Sequence, residues 1–120
     1  MRRSSLSALL TLTFWLSVFP AALAASYTFT TVDVSFPGTL DTSANGINKK
    51  GQIVGRYIDS DEKGHGFLYD GGVFSTIDVP NATLTQANGI NKEGQIVGVY
   101  ADSDEKSHGF LATPIKGSGK

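Results

Sequence analysis

The sequence contains two histidines, His65 and His108, and each follows an acidic segment of nearly the same composition. Histidine is suited to acid–base catalysis near neutral pH, but it needs a nucleophile or a second acid–base group beside it. The sequence has no cysteine and no Gly-x-Ser-x-Gly turn to present a nucleophilic serine. We therefore expect no enzyme activity, and we interpret both histidines as structural residues that cap a strand or hydrogen-bond a neighbouring loop.

The acidic segments before the histidines are candidates for calcium binding. Asp59 and Asp61 are two residues apart, as are Asp102 and Asp104 in the second segment. Carboxylates at alternate loop positions can present oxygen atoms to a hard cation such as calcium. A lysine stands where a further oxygen ligand would help, so a solvated turn between two strands is the preferred interpretation. Calcium is the alternative, and no other cofactor is indicated.

These segments belong to a unit that the sequence contains twice. Residues 44–68 recur as residues 87–111, with differences at four of 25 aligned positions. A second block, Phe-Thr-Thr-Val-Asp-Val at residues 29–34, recurs as Phe-Ser-Thr-Ile-Asp-Val at residues 74–79. Self-similarity at a period of about 40 residues is typical of solenoids, propellers and arrays. A repeat architecture is therefore expected.

Each unit is predicted to contain four short strands. We expect unit one to span 27–71 and unit two 72–114 of a single two-repeat domain, 25–114, with each unit opening on the recurring block. The fold class is therefore predicted to be all-β, with two four-stranded antiparallel units resembling β-propeller blades. The strands predicted for unit one are Phe29–Val34, Ala44–Asn48, Gln52–Asp59 and His65–Asp70.

Residues that do not change between the units are candidates for structural positions. Successive side chains along Ile53–Ile58 point to opposite faces of a strand, and both substitutions there, at Arg56 and Ile58, fall on one face. We expect the unchanged face to pack within each unit and the other face to be covered differently in the two units. The predicted structural positions are Asn45, Gly46, Asn48, Gly55, Tyr57, His65 and Phe67, with Asn88, Gly89, Asn91, Gly98, Tyr100, His108 and Phe110 as their counterparts.

The Asn-Gly-Ile-Asn segment at residues 45–48 is predicted to form a backbone turn. Asparagine side chains hydrogen-bond nearby backbone amides, and glycine tolerates positive φ angles. The alternative is that the segment forms a polar ligand pocket, which would then occur once in each unit.

Several spaced motifs together carry a family resemblance. They read Asn-Gly-Ile-Asn-x-x-Gly-Gln-Ile-Val-Gly-x-Tyr, then His-Gly-Phe-Leu, then Phe-x-x-Ile-Asp-Val-Pro. In this combination the chain resembles the HAF-repeat family of extracellular proteins over residues 27–111, with His-Gly-Phe in place of the His-Ala-Phe that gives the family its name. The resemblance implies secretion, mostly by bacteria, and a repeated β architecture similar to a propeller. It implies no established activity, so it supplies no catalytic residue.

The N-terminal segment has the three parts of a secretory signal peptide. Arg2 and Arg3 supply positive charge, Leu6–Phe19 is an apolar run, and Ala22-Leu-Ala24 offers small residues to a signal peptidase. We predict that residues 1–24 are removed and that the product is secreted, extracellular or periplasmic. An uncleaved membrane anchor is the alternative, although the apolar run is shorter than the ~20 residues that span a bilayer.

Composition excludes several classes of partner. The chain is mildly acidic without lysine or arginine clusters, which argues against nucleic acid and anionic membranes. The absence of cysteine excludes disulfides as a supplement to a small core. Residues 115–120 are predicted to form a flexible tail, and Asn81-Ala-Thr83 is a formal glycosylation acceptor in one copy only.

Two units leave unpaired strand edges, so we expect this chain to self-associate. Closed propellers contain ~4–8 blades, and three copies would supply six. An eight-stranded sandwich-like monomer and a fragment of a longer repeat protein are the alternatives. The predicted function is that of a secreted, non-catalytic binding or scaffold module for an extracellular glycan or protein. A lectin-like carbohydrate binder assembled as an oligomeric propeller is one alternative, and an extracellular hydrolase is a less favoured one.

Signal-peptide removal can be checked directly by mass. When the full sequence is expressed in a host with general secretion, the exported protein is expected to begin at Ala25, because the small residues before it fit the peptidase. Intact-mass spectrometry of the exported fraction measures this. A product that keeps residues 1–24 and stays with the membrane fraction would support the anchor instead.

Overall fold

The computed structural model describes residues 25–116 of the chain. The predicted signal peptide and residues 117–120 of the predicted tail lie outside the described residues. Residues 25–30 form a separate unit without regular secondary structure. Within residues 25–116, no helix has the length and apolar character needed to cross a membrane.

The fold is all-β, as predicted, with seven strands among the described residues instead of eight. The strands form one curled sheet in the order β1-β2-β3-β5-β6-β7, and β4 pairs with β3 beside this path. All strand pairs are antiparallel except β3 with β5, which meet in parallel at one residue pair. The strands are β1 (Asp41–Ile47), β2 (Ile53–Ile58), β3 (Gly64–Asp70), β4 (Val73–Ile77), β5 (Leu84–Ile90), β6 (Ile96–Ala101) and β7 (Ser107–Ala112).

The sequence repeat is reproduced in the strand pairing. Ala44 pairs with Gly55 in the first three strands, and Ala87 pairs with Gly98 in the last three. The register shifts just after Ala44 and again just after Ala87, so that both groups carry an irregularity at the same place. The two three-stranded groups therefore share one hydrogen-bonding register.

The recurring block does not open a unit as predicted. Its second copy forms β4, which pairs with the preceding strand β3. Gly71 and Gly72 join β3 to β4 with φ angles of 61° and 91°, and two residues at positive φ make the tight turn that suits a hairpin. The first copy, residues 29–34, has no strand assignment. The predicted strand Phe29–Val34 is therefore wrong, since this segment has no hydrogen-bonded neighbour strand among the described residues.

The core consists of two apolar clusters on opposite faces of β2. The first contains Val34, Tyr57 and Phe67, and the second contains Val54, Ala87 and Ile96. Because side chains alternate along a strand, Tyr57 and Val54 serve different clusters. The second cluster joins the two three-stranded groups, since Val54 comes from β2 and the other two residues from β5 and β6.

The two faces expected to differ between the units do differ in exposure. Val54 on β2 is fully buried, whereas its counterpart Val97 on β6 is 50% exposed. The unchanged face packs beyond its own strands: in the first group it contacts Val32 and Phe36, which precede β1, and in the second group Ile96 contacts β2. One apolar face of the second group thus stays open to solvent.

Alanine at Gly55 is expected to destabilise the fold. A Cβ there would lie 2.8 Å from Phe67 Cε2 and would also meet the Ser43 carbonyl oxygen, so the substitution should cost about 2–3 kcal/mol of unfolding free energy. Urea denaturation measures the loss. Gly89→Ala is the matched control, because its nearest neighbour is Val97 Cγ2 at 3.5 Å and a change within about 0.5 kcal/mol is expected. Equal losses in both variants would contradict this account.

Candidate functional site

The turn between β2 and β3 is closed by the Asp59 side chain. Asp59 Oδ1 accepts hydrogen bonds from the backbone N–H of Asp61 at 2.8 Å and of Lys63 at 3.0 Å. The backbone N–H of Glu62, which has a φ of 65°, donates to the Asp59 carbonyl at 2.9 Å. A short acidic side chain is well suited to such a turn, because it can bond to amides two and four residues further on.

His65 is held between two carboxylates. Its Nε2 lies 2.8 Å from Asp59 Oδ2, and its Nδ1 lies 2.7 Å from Asp78 Oδ2. The ring stacks on Tyr57, with centroids 5.0 Å apart and planes at 27°. Ionised carboxylates only accept hydrogen bonds, so contact with two of them favours the doubly protonated imidazolium, in which both ring nitrogens donate.

The pKa values of this site follow from the same contacts. Partial burial of the ring acts to lower the pKa of His65, but the hydrogen bonds to Asp59 and Asp78 outweigh it, and the pKa is raised above its usual 6.5. The hydrogen bond from His65 and the backbone N–H of Lys63 lower the pKa of Asp59. The site therefore favours a charged histidine beside charged carboxylates.

The second group repeats this arrangement in part. Asp102 Oδ1 accepts from the backbone N–H of Asp104 and of Lys106, both at 2.9 Å, and Oδ2 lies 2.8 Å from His108 Nε2. His108 stacks on Tyr100 at 5.0 Å, and its hydrogen bond together with the Lys106 N–H lowers the pKa of Asp102. Within residues 25–116, His108 Nδ1 has no counterpart of the second carboxylate. Its side chain is 41% exposed, against 22% for the first histidine.

The missing contacts of the second site all trace to β4 and the residues after it. In the first site, Thr76 on β4 lies 2.8 Å from the Tyr57 hydroxyl, and Asp78 follows β4 directly. Sequence reasoning missed Asp78 because it assigned the recurring block to the start of unit two. The signal that could have identified it is the Gly71-Gly72 pair, which predicts a hairpin onto the preceding strand.

The calcium candidates are placed in two separate turns. The carboxylate oxygens of Asp59 and Asp102 are engaged by the chain itself, as described above, while Asp61 and Asp104 supply backbone N–H donors to them. In the part of the chain that the structure describes, no three acidic, histidine or cysteine side chains gather into a metal-binding group. The geometry matches the preferred turn interpretation, and calcium binding stays the alternative.

Asn48 and Asn91 form turns, as predicted, and use their side chains to do so. Asn48 Oδ1 accepts from the backbone N–H of Lys50 at 3.0 Å and of Gln52 at 2.9 Å. Asn91 Oδ1 makes the same pair of bonds in the second group. Asn48 Nδ2 also donates to the Asn91 carbonyl at 2.9 Å, which links the two turns.

Asn45 and Gly46 lie in strand β1, which corrects the prediction of a turn at this point. Asn45 Nδ2 donates to the Ala87 carbonyl at 2.9 Å and lies 3.4 Å from Asn88 Oδ1. A Cβ on Gly46 would lie 2.8 Å from the Asn88 carbonyl oxygen, so glycine permits β1 to approach β5 this closely. These residues therefore join the two groups, and their counterparts Asn88 and Gly89 lie on the receiving strand.

The remaining predicted positions pack as glycine–aromatic pairs. Gly55 and Gly98 each leave room for a ring, and a Cβ at either position would lie 2.8 Å from Cε2 of Phe67 or Phe110 respectively. Phe67 is fully buried, whereas Phe110 is only partly buried. Both pairs support the prediction that these residues recur for packing.

Comparison of the chain with protein-family models, curated proteins and solved structures gave no match. The resemblance to the HAF-repeat family therefore stays a prediction from the motifs.

The charged histidine predicts a specific pH dependence of stability. Because the pKa of His65 is raised in the folded state, its stabilising contribution is complete below about pH 6.5 and is lost as pH rises through the folded pKa. Thermal denaturation between mildly acidic and alkaline pH should show a falling melting temperature, and His65→Gln should flatten this fall. The interpretation fails if His65→Gln keeps the full slope.

Proposed function

We propose that the protein is a secreted, non-catalytic repeat module that binds or scaffolds extracellular partners, built from two units that resemble propeller blades. The observation that carries the proposal is the duplicated Asp–His–Tyr arrangement. The histidine and aspartate side chains, which are the ones best suited to catalysis in this sequence, instead stabilise a turn and a strand at equivalent positions in both groups.

The state of His65 argues against catalysis at this position. Both of its ring nitrogens contact carboxylates, so neither has a free lone pair with which to accept a proton from a substrate. His108 keeps one nitrogen outside such a pair. For His108 to act as a general base oriented by Asp102, a nucleophile would still be required nearby. The Asp102 oxygen that bonds to the ring lies in a turn of charged side chains.

The likeness to propeller blades is supported by how the two groups meet. Both groups share one register, β1 lies against β5 through the Asn45 side chain, and Asn48 after β1 bonds to Asn91 after β5. In a propeller, the innermost strands of neighbouring blades approach each other around a common axis, and β1 and β5 fit that role. β4 is then the outermost strand of the first blade.

Two blades bury less than a closed ring does, so the module is expected to work as an assembly. Val97 and Leu111 on the second group are 50% and 61% exposed, and such neighbouring apolar side chains mark an interaction surface. Repeated binding sites in an assembly would raise the avidity for an extracellular glycan or protein.

Sedimentation velocity and activity screening test this function together. At micromolar concentration we expect the purified protein to sediment as more than one copy, because the open apolar face favours association. We also expect the protein to show no His108-dependent hydrolysis, that is, no turnover of ester, glycoside or peptide substrates that is lost in the His108→Gln variant. A stable monomer would contradict the assembly, and hydrolysis abolished in His108→Gln would establish an enzyme instead.

A further inference from the structure

The segment before β1 contacts the first three-stranded group in the same way as the segment before β5 contacts the second group. The Val34 N–H donates to Thr42 Oγ1 at 3.1 Å, and the Val79 N–H donates to Thr85 Oγ1 at 3.2 Å. Val32 packs on the first core cluster, and its counterpart Ile77 packs on the second. Residues 32–34 thus bear the same relation to the first group as residues 77–79 bear to the second.

Residues 74–79 do more than contact the group that follows them. Phe74 packs edge-on against Phe67 at 5.7 Å, the Thr76 hydroxyl bonds to Tyr57, and the Asp78 carboxylate bonds to His65, all in the preceding group. The block therefore connects two groups, since it forms the outer strand of one and the entry to the next. By the same relation, residues 29–34 match the outer strand of a group that would precede β1, although they form no strand within residues 25–116.

The edge of β7 lacks such a strand within the described residues. There, β7 pairs with β6 alone, whereas β3 pairs with β2 on one side and with β4 on the other. An unpaired edge presents a row of backbone donors and acceptors ready to bind another strand. Three side chains that the outer strand would contact also lack those partners among residues 25–116: Tyr100, His108 and Phe110.

We propose that the edge of β7 binds residues 29–33 of a second copy of this chain, in the register that β4 adopts on β3. This inference rests on the blade-like organisation of the proposed function and specifies how the copies join. Phe29 of the second copy then packs on Phe110, while its Thr31 bonds to Tyr100 and its Asp33 completes the carboxylate pair around the second histidine.

The choice of a second copy as the occupant follows from residue identity. Phe, Thr and Asp occur at residues 29, 31 and 33 and at residues 74, 76 and 78, which are the positions that make these contacts. Phe29 is 92% exposed, although its counterpart is partly buried. The donor strand thus carries all the side chains that the β7 edge would receive.

The same arrangement covers the open apolar face. Val97 and Leu111 are the counterparts of Val54 and Leu68, which pack in the second core cluster between the two groups. When a second copy docks head to tail, they meet its first group, where Ile47 is 66% exposed and its counterpart Ile90 packs in that cluster. A head-to-tail contact of this kind repeats from copy to copy. The copies form a closed ring when the rotation between neighbours brings the last copy back to the first.

Mixed cysteine variants test strand donation. The sequence has no cysteine, so Thr30→Cys and Leu111→Cys each place one thiol in a full-length chain. The pair corresponds to Ser75 and Leu68, which are direct partners in the β3–β4 register. Mixing the two single variants, with one carrying a mass tag, and oxidising mildly should give mainly the disulfide heterodimer by intact-mass spectrometry. The double variant Leu68→Cys/Ser75→Cys is the control and should give a disulfide within one chain.

The outcomes separate this inference from the function on which it rests. A heterodimer far in excess of both homodimers supports strand donation. Association in sedimentation without that heterodimer overturns strand donation while leaving the scaffold proposal intact, and a monomer without cross-links overturns both. Both cysteine positions are exposed, so neither substitution threatens folding.

A carboxylate variant provides an independent measurement of the same contact. Asp33→Asn should weaken association about tenfold or more, because it removes a charge-assisted hydrogen bond between copies, and should leave the melting temperature of the dissociated chain unchanged. Asp78→Asn is the matched control, since its bond to His65 lies within one chain and its loss should lower the melting temperature. Unchanged association of Asp33→Asn would count against the proposed contact.

Discussion

The hydrogen bonds of His65 to Asp59 and Asp78 are the contacts on which the first three-stranded group depends. One carboxylate closes the turn before β3, and the other comes from the residue that follows β4. Through two short hydrogen bonds, the His65 ring on β3 therefore holds the turn before β3 and the residue that follows β4. Stacking on Tyr57 orients the ring against the apolar cluster, so the polar lock and the core are positioned together.

Close backbone approach is the second requirement of this fold. The chain is small and has no disulfide, so its two groups must join through a limited contact area. Glycine at position 46 lets β1 approach β5, and Asn45 and Asn48 cross this gap to bond backbone carbonyls. Hydrogen bonds from side chains thus replace the continuous strand ladder that is absent between these two strands, while Val54 and Ile96 seal the apolar side.

Sequence reasoning predicted the strands wherever the signal was local. The Gln52–Asp59 and His65–Asp70 predictions agree with β2 and β3 to within one residue at each end, because alternating β-branched and aromatic residues between glycine turns favour strands. The recurring block was assigned to the wrong neighbour, because its pairing with β3 is signalled by the Gly71-Gly72 hairpin turn and not by the phase of the repeat. Asp78 was missed for that reason, although its residue type and its recurrence were both visible.

By itself, the sequence determined that the chain is an all-β protein with a duplicated unit, and that Gly55, Gly98, Asn48 and Asn91 recur at equivalent places. Identical residues in two copies require similar local geometry, so these conclusions need no coordinates. Only the tertiary structure decided that the block completes the preceding group, that His65 meets two carboxylates, and that one apolar face stays open. Each of these depends on which segments lie side by side in the folded chain, and that is set by the packing of the whole chain.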